Sequence, residues 1–124
     1  MQSGAISDAQ IKASSQWDAY HAPFQGRLHF HPVTGAWSAG TNNLFQWLQV
    51  DLISQYTKVT RVATQGRNGD FQWVTRYKLQ YSVDGVNFQY YREQGQTTDK
   101  VKENACFATT QQVIIQPVHM TQLR

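Results

Sequence analysis

Residues able to perform acid–base or nucleophilic chemistry are scarce in this chain and follow no catalytic motif. The sequence has no nucleophile elbow, no phosphate-cradling glycine loop and no His-Glu zinc motif. Its two glutamates, Glu93 and Glu103, lie in polar stretches near the C-terminus. A glycosidase needs two carboxyl groups at a fixed separation, and nothing in the acidic residues indicates such a pair. The sequence therefore predicts a protein that is not an enzyme.

Two histidines have a spacing that can bind a metal. His29 and His31 flank Phe30, so in a strand both imidazoles would share one face. No carboxylate or cysteine lies close to them in the sequence. We therefore interpret the two histidines as polar residues on a solvated or half-buried face, and we predict no metal here.

Residues 16–26 form an irregular segment that carries three aromatic side chains. The segment reads Gln-Trp-Asp-Ala-Tyr-His-Ala-Pro-Phe-Gln-Gly and follows neither the helical nor the strand period. Loops normally lie on the surface, where exposed apolar rings are costly. Either this loop folds back on the core or it displays a binding surface.

The element best suited to position such loops is a predicted strand at residues 46–52. Its side chains alternate strictly, which is the period of a β-strand. Leu48, Val50 and Leu52 point to one face, which predicts that this face is buried and that polar groups line the other.

The other predicted elements are short strands separated by turns. Tyr77–Ser82 and Asn87–Tyr91 should pair as a hairpin around the turn pair Asp84-Gly85. Asn68-Gly69 is a second hairpin signal. A strand is expected at 10–13, after a helical turn capped by Ser7 or Asp8. Further strands are expected at 27–31, 59–64, 71–83 and 113–117. With almost no helix, the pattern indicates an antiparallel β-sandwich or squat barrel.

Composition bounds the class of protein. The 124 residues correspond to one domain, 1–124, and 4 Trp, 6 Tyr and 6 Phe indicate a packed core. The net charge of +3 is scattered, which predicts no nucleic-acid partner. A single cysteine excludes an internal disulfide, and no apolar run is long enough for a membrane span. The N-terminus has no signal-peptide core, so any secretion signal is expected outside this chain.

Six short motifs follow one another along the first two thirds of the chain. They are Gly4-Ala-Ile-Ser-Asp-Ala-Gln-Ile-Lys-Ala-Ser-Ser15, Gly26-Arg-Leu28, Ala36-Trp37, Gln46-Trp-Leu-Gln-Val-Asp-Leu52, Thr64-Gln-Gly-Arg67 and Tyr77…Tyr81-Ser-Val-Asp-Gly85. In this order they resemble the discoidin, or factor V/VIII C-type, domain family. The resemblance implies an all-β, jelly-roll-like antiparallel β-sandwich of about eight strands. It also implies that three loops at one end form a ligand-binding tip.

The C-terminal part, about 101–124, departs from the family pattern. Phe107, the segment 113–117 and the terminal Leu123-Arg124 fit the pattern, whereas Met120 stands where the family has a Trp. The connecting pieces are shorter, and the cysteine pair that commonly joins the family's ends is absent. We therefore expect a stability lower than that of a stapled relative by about 2–4 kcal/mol.

By the resemblance, the tip loops correspond to residues 16–25, 39–45 and 67–72. The candidate ligand-binding residues are the aromatic Trp17, Tyr20, Phe24 and Phe71 and the polar Asp18, His21, Asn42, Asn43, Arg67, Asn68 and Asp70. Some domains of this architecture bind Ca²⁺, to which Asp18 and Asp70 could contribute. No oxygen-rich loop of EF-hand type is present, so no cofactor is predicted and Ca²⁺ stays an open alternative.

The content of these loops bears on the ligand. A glycan site needs a ring for stacking and carboxylate, amide or guanidinium groups for hydroxyls. A membrane-inserting tip needs protruding apolar side chains backed by Lys or Arg. Because the loops hold one aliphatic of that kind, Leu44, and are rich in Asn and Asp, the sequence favours a carbohydrate-binding adhesion module on the cell surface or outside the cell. The alternatives are an anionic phospholipid surface, of phosphatidylserine type, and a collagen or receptor protein. The stretch 67–70, which resembles an integrin-type Arg-Gly-Asp with an insertion, is interpreted as a hairpin turn.

Overall fold

The structure, a computed structural model, describes residues 5–32, 34–53, 59, 61–67, 70–98, 101–103, 113–115 and 122–123. Eight short strands lie in these ranges: β1 Ile11–Ala13, β2 Leu48–Val50, β3 Val62–Thr64, β4 Arg76–Tyr81, β5 Gln89–Tyr90, β6 Val101–Glu103, β7 Val113–Ile115 and β8 Gln122–Leu123. Three short 3₁₀ helices accompany them: Asp8–Gln10, Ala19–His21 and Pro23–Gly26. The described part of the chain is therefore all-β with single helical turns, as the sequence predicts.

Every described strand pair is antiparallel. β1 pairs with β2, which sets Ile11 opposite Val50 and Ala13 opposite Leu48. β3 pairs with β7, and β4 pairs with β5, β6 and β8. The predicted strand at 113–117 is confirmed over the residues of β7.

The core lies under β2, where the predicted alternation is confirmed. Leu48 and Val50 are 2% and 1% exposed, so both side chains are removed from water. The buried cluster around them comprises Ile11, Leu52, Tyr77 and Leu79. Each such side chain contributes about 1.5–3 kcal/mol to stability by leaving water.

The N-terminal turn is tied to β2 by one glutamine. The Ser7 backbone N–H donates to the Gln10 Oε1 atom at 2.9 Å, which caps the 3₁₀ helix as the sequence predicts. The Gln10 Nε2 atom donates to the Asp51 carbonyl at 2.7 Å, and the Asp51 N–H donates back to the Gln10 carbonyl at 2.8 Å. These bonds continue the β1–β2 pairing by one residue.

The predicted hairpin around Asp84-Gly85 is confirmed. Gln80 lies opposite Tyr90, and the φ of Gly85 is 72°, a left-handed conformation that glycine adopts at little cost. The Asp84 carboxylate accepts hydrogen bonds from the backbone N–H groups of Asn87 and Val86 at 2.8 and 2.9 Å. These bonds, the one from Asn87 foremost, hold the pKa of Asp84 well below its ordinary value.

Two strand predictions are wrong in extent or in kind. Only Arg76–Tyr81 of the predicted strand 71–83 is a strand, and residues 71–75 belong to a loop. Residues 27–31 form a turn, in which the Phe30 N–H donates to the Arg27 carbonyl at 3.3 Å. The φ of His29 is 54°, which breaks the alternation of an extended chain. His29 and His31 therefore do not share a strand face.

Several predictions fall outside the described residues. They concern the Asn68-Gly69 turn, Phe107, Pro117, Met120 and Arg124.

Candidate ligand-binding site

The three predicted tip loops meet at one end of the molecule. The loop 16–25 follows β1 and the loop 39–45 precedes β2, so the antiparallel pairing of these strands places both loops at the same end. Residues of 67–72, between β3 and β4, complete the border of a cleft of about 860 Å³. We call the segments 16–25, 39–45 and 67–72 the tip. The lining includes Trp17, Leu44 and Phe71, one from each loop.

The first loop is organised by an acidic N-cap. The Asp18 Oδ1 atom accepts from the Tyr20 N–H at 2.8 Å and lies 2.6 Å from the His21 Nδ1 atom. The hydrogen bond from His21 lowers the pKa of the Asp18 carboxyl. His21 itself is buried. Two of the polar residues predicted to bind ligand are thus bonded to each other.

The aromatic residues of the first loop have different environments. Trp17 and Tyr20 are 68% and 64% exposed. Phe24 is half-buried and meets Phe30 edge-on, with ring centroids 6.1 Å apart. Both interpretations of this loop therefore apply, because one part folds back and the other is displayed.

The second loop exposes two neighbouring apolar side chains. Leu44 is 84% exposed and Phe45 is 71% exposed. Neither was among the candidate residues of the sequence analysis. The available signal was the apolar pair itself, which is set between Asn43 and Gln46 in an otherwise polar loop.

The backbone around this apolar pair is held by amide side chains. The Asn43 Oδ1 atom accepts from the Phe45 N–H and from the Gln46 Nε2 atom, each at 2.9 Å. The Gln46 Nε2 atom also donates to the Thr41 Oγ1 atom at 2.9 Å. Asn42 lines the cleft. Asn43 therefore shapes the loop.

The third loop combines an ion pair with an exposed ring. The Arg67 Nη1 atom lies 3.2 Å from the Asp70 Oδ2 atom and donates to the Gln72 Oε1 atom at 2.8 Å. Within the described residues, the buried Arg67 Nε atom has no hydrogen-bond partner. Phe71 is 90% exposed. Asn68, which the sequence placed in this site, lies outside the described residues.

The first two loops touch along a glycine. A Cβ atom added to Gly40 would lie 2.8 Å from the Gln16 carbonyl oxygen, a separation that real Cβ atoms do not adopt. The Gly40 N–H donates to the Ser15 Oγ atom at 3.0 Å, and the Trp37 Nε1 atom donates to the Ser15 carbonyl at 2.8 Å. Trp37 is half-buried and packs against the core. This close approach fixes the second loop relative to the first.

The residues with described positions offer neither a metal cluster nor a membrane-spanning helix. They contain no group of three or more His, Cys, Asp or Glu side chains arranged to hold a metal ion. Among their helices, none has the length and apolar character needed to cross a membrane.

Comparison with known proteins places the chain in a family. The model of the F5/8 type C domain family matches residues 10–122. The chain is 41% identical over 109 residues to coagulation factor V of Sus scrofa, covering 83% of this chain and 5% of that protein. It is 42% identical over 109 residues to human EGF-like repeat and discoidin I-like domain-containing protein 3, covering 82% of this chain and 22% of the relative. Bovine lactadherin is 38% identical over 108 residues, with 82% and 25% covered.

The fold is also that of a solved structure. Recombinant discoidin II of Dictyostelium discoideum superposes with a TM-score of 0.72 at 22% identity, covering 91% of this chain and 47% of that one. The chain spans a quarter or less of the length of the curated relatives named above. This chain is therefore a discoidin-type binding module that belongs to the F5/8 type C domain family.

Proposed function

We propose that this chain is an extracellular or cell-surface module that binds membranes containing anionic phospholipid, of phosphatidylserine type, through its tip. One observation carries the proposal. Each of the three tip loops exposes a large apolar side chain on the same cleft: Trp17, Leu44 and Phe71. Tyr20 and Phe45 add exposed rings to the first two loops.

This arrangement is costly in water and favourable at a lipid interface. Clustered exposed apolar side chains usually mark an interaction site. Aromatic rings such as those of Trp17 and Tyr20 are favoured at the headgroup level of a bilayer, and a Leu or Phe that enters the acyl region leaves water. Full burial of one such side chain contributes about 1.5–3 kcal/mol. Insertion of two or three of them would give substantial affinity.

Five of the seven polar residues that favoured a glycan in the sequence are already engaged within the protein. Asp18 is bonded to His21, and Asp70 pairs with Arg67. Asn43 accepts from the backbone of its own loop. A sugar hydroxyl would have to replace these internal hydrogen bonds. This is why we place phospholipid before glycan.

Charge supports the same ligand class. The net charge is +3, and the exposed Arg76 lines the cleft. A Lys or Arg near an anionic membrane contributes about 1 kcal/mol, an attraction that salt screens. The proposed interaction therefore combines apolar insertion with attraction of the headgroups, and raised salt should weaken it.

Carbohydrate remains the second candidate because of the cleft. Its volume of about 860 Å³ falls within the range of about 300–1,000 Å³ that is typical of small-ligand sites. Trp17 presents a ring and Asn42 an amide along its lining. A monosaccharide could stack on the first and bond to the second.

The test compares two ligands on one protein. The native chain is assayed for co-sedimentation with vesicles of phosphatidylcholine alone and of phosphatidylcholine mixed with phosphatidylserine, and on a glycan array. We expect binding to the mixed vesicles that raised salt weakens and that EDTA leaves intact. Loss in EDTA would restore the Ca²⁺ alternative at Asp18 and Asp70. Array binding without vesicle binding would overturn the lipid proposal in favour of a glycan, and failure of both would favour a protein partner such as collagen or a receptor.

A matched pair of variants locates the surface. Leu44→Ser removes an exposed apolar side chain of the tip, whereas Val86→Ser removes a similarly exposed one from the turn between β4 and β5. Weaker vesicle binding is expected for the first variant alone. Equal losses would mean that the tip is not the membrane contact.

A further inference from the structure

The Gln46 amide joins the second tip loop to the end of β1. The Gln46 Nε2 atom donates to the Thr41 Oγ1 and Asn43 Oδ1 atoms, both at 2.9 Å. The Gln46 Oε1 atom accepts from the Ser14 Oγ atom at 2.7 Å and from the Ser15 Oγ atom. Two donors and two acceptors exhaust the hydrogen-bonding capacity of a primary amide. We call these five residues the Gln46 network.

The partners on the β1 side are themselves fixed. The Ser14 Oγ atom accepts from the Trp47 N–H at 3.0 Å, so it is bonded to the first residue before β2. The Ser15 Oγ atom accepts from the Gly40 N–H at 3.0 Å, at the start of the second loop. The network is therefore anchored in the β1–β2 pair and reaches both ends of the loop.

On the loop side, the network leaves the apolar side chains outside. The Asn43 Oδ1 atom accepts from the Phe45 N–H at 2.9 Å, and the Asn43 Nδ2 atom donates to the Thr41 Oγ1 atom at 3.3 Å. This bond pattern draws the polar side chains of the loop toward the β1–β2 pair. The side chains of Leu44 and Phe45 stay exposed.

We infer that Gln46, acting through Thr41 and Asn43, is a positioning residue that holds Leu44 and Phe45 in their membrane-binding arrangement before any membrane is met. The inference rests on the proposed function and adds how that surface is kept ready. A loop that is already ordered avoids the conformational entropy lost on ordering during binding. Affinity for vesicles therefore depends on Gln46, although Gln46 is half-buried beneath the loop.

Thr41 provides the sharpest test because its two plausible roles predict opposite signs. Thr41 is exposed and lines the cleft. Thr41→Val keeps the shape of the side chain, makes it more apolar and removes the Oγ1 acceptor. If Thr41 simply touched lipid, this variant would bind vesicles more tightly. As a member of the network, it should bind about threefold more weakly, while Thr41→Ser, which keeps the hydroxyl, should bind as the native chain does.

Gln46→Met introduces a side chain of similar length that makes none of the four hydrogen bonds of the Gln46 amide. We expect about tenfold weaker binding to vesicles of phosphatidylcholine mixed with phosphatidylserine. Hydrogen exchange of the Phe45 amide should become faster because its acceptor is released. Leu44→Ser should weaken vesicle binding without changing that exchange rate.

These readouts separate the two proposals. Absence of vesicle binding by the native chain would overturn the membrane function itself, and native-like binding by Leu44→Ser would overturn the tip as its contact surface. Weak binding by Leu44→Ser together with native affinity in Gln46→Met and Thr41→Val would leave the function standing and overturn the positioning role. If urea unfolding shows that Gln46→Met is not folded, the Thr41→Val and Thr41→Ser pair decides alone, and tighter binding by Thr41→Val refutes the inference.

Discussion

The tip and the β1–β2 pair arrange their polar and apolar side chains in opposite ways. In β2 the apolar side chains point inward, and Leu48 is 2% exposed. Four residues earlier in the chain, Leu44 is 84% exposed. At the tip, Asp18 and Asn43 bond to other groups of the protein, whereas apolar side chains project from all three loops.

The difference teaches what selects each surface. The core is stabilised by the removal of apolar area from water, which is the dominant favourable term in folding. The tip does not, and its polar groups instead stabilise the conformations that keep apolar groups outside. A surface of that kind is suited to a partner that is itself apolar, and a bilayer is such a partner.

The largest effect is expected from a matched pair of leucines. Leu48→Ala creates a cavity in the core and should lower the free energy of unfolding by about 2–5 kcal/mol. Leu44→Ala should change that free energy by less than about 0.5 kcal/mol, because the side chain is exposed. Urea denaturation of both variants measures the contrast. A large loss of unfolding free energy in Leu44→Ala would mean that this side chain is packed in solution. The tip would then not differ from the core in the way described.

Gly40→Ala tests how firmly the first two loops are held together. The new Cβ atom would meet the Gln16 carbonyl oxygen at 2.8 Å, so we expect a loss of about 1–3 kcal/mol in the free energy of unfolding. Gly26→Ala serves as control because its Cβ atom would lie 3.3 Å from the nearest atom, the side-chain Leu48 Cδ2. Similar stabilities for the two variants would show that the loops can separate freely.

Phe71→Ala tests the third loop alone. Loss of this exposed ring should weaken binding to phosphatidylserine-containing vesicles by about tenfold, on the basis of partial burial of one aromatic side chain. Thermal unfolding should be unchanged within about 2–4 °C. Val86→Ala, at the other end of β4, should leave vesicle affinity unchanged. Undiminished affinity in Phe71→Ala would restrict the contact to the first two loops.

The smallest effect concerns a polar turn away from the tip. Hydrogen bonds from the backbone N–H groups of Asn87 and Val86 lower the pKa of Asp84, so the folded state favours the ionised carboxylate. The stability that this gives is fully present above the unfolded pKa, about 3.9. It is lost as the pH falls through the lower folded pKa.

Asp84→Asn keeps an oxygen acceptor and removes the titration. Its melting temperature should therefore fall less steeply than that of the native chain between neutral and strongly acidic pH. Parallel curves would show that the turn does not favour the ionised form. Leu44→Ala, which alters no ionisable group, should follow the native curve.

The scaffold was predictable because its signals are local. The alternation around Leu48 and Val50 identifies the buried strand, and the Asp84-Gly85 pair identifies the hairpin. β6 was missed because Val101–Glu103 lies in a polar stretch whose strand character comes from pairing with β4. The turn at 27–30 was missed because the positive φ of His29 has no glycine to signal it.

The site was predictable in position but not in the direction of its side chains. The family resemblance indicated the three loops, and they do border one cleft. It could not tell that Gln46 would reach Ser14, since only the fold brings these two residues together. The contact of Asp18 with His21 depends on the 3₁₀ turn Ala19–His21, which the irregular segment 16–26 did not signal. Counting polar residues in the loops therefore favoured a glycan, whereas the exposed side chains favour lipid.

Quenching of Trp17 fluorescence by brominated phospholipid tests the central claim most directly. Trp37, Trp47 and Trp73 are half-buried, whereas Trp17 is exposed at the tip. We predict that vesicles containing brominated acyl chains and phosphatidylserine quench the native chain, and that Trp17→Phe, which retains vesicle binding, abolishes most of this quenching. Vesicle binding without quenching, or equal quenching in Trp17→Phe, would contradict the claim that the apolar side chains of the tip enter the bilayer.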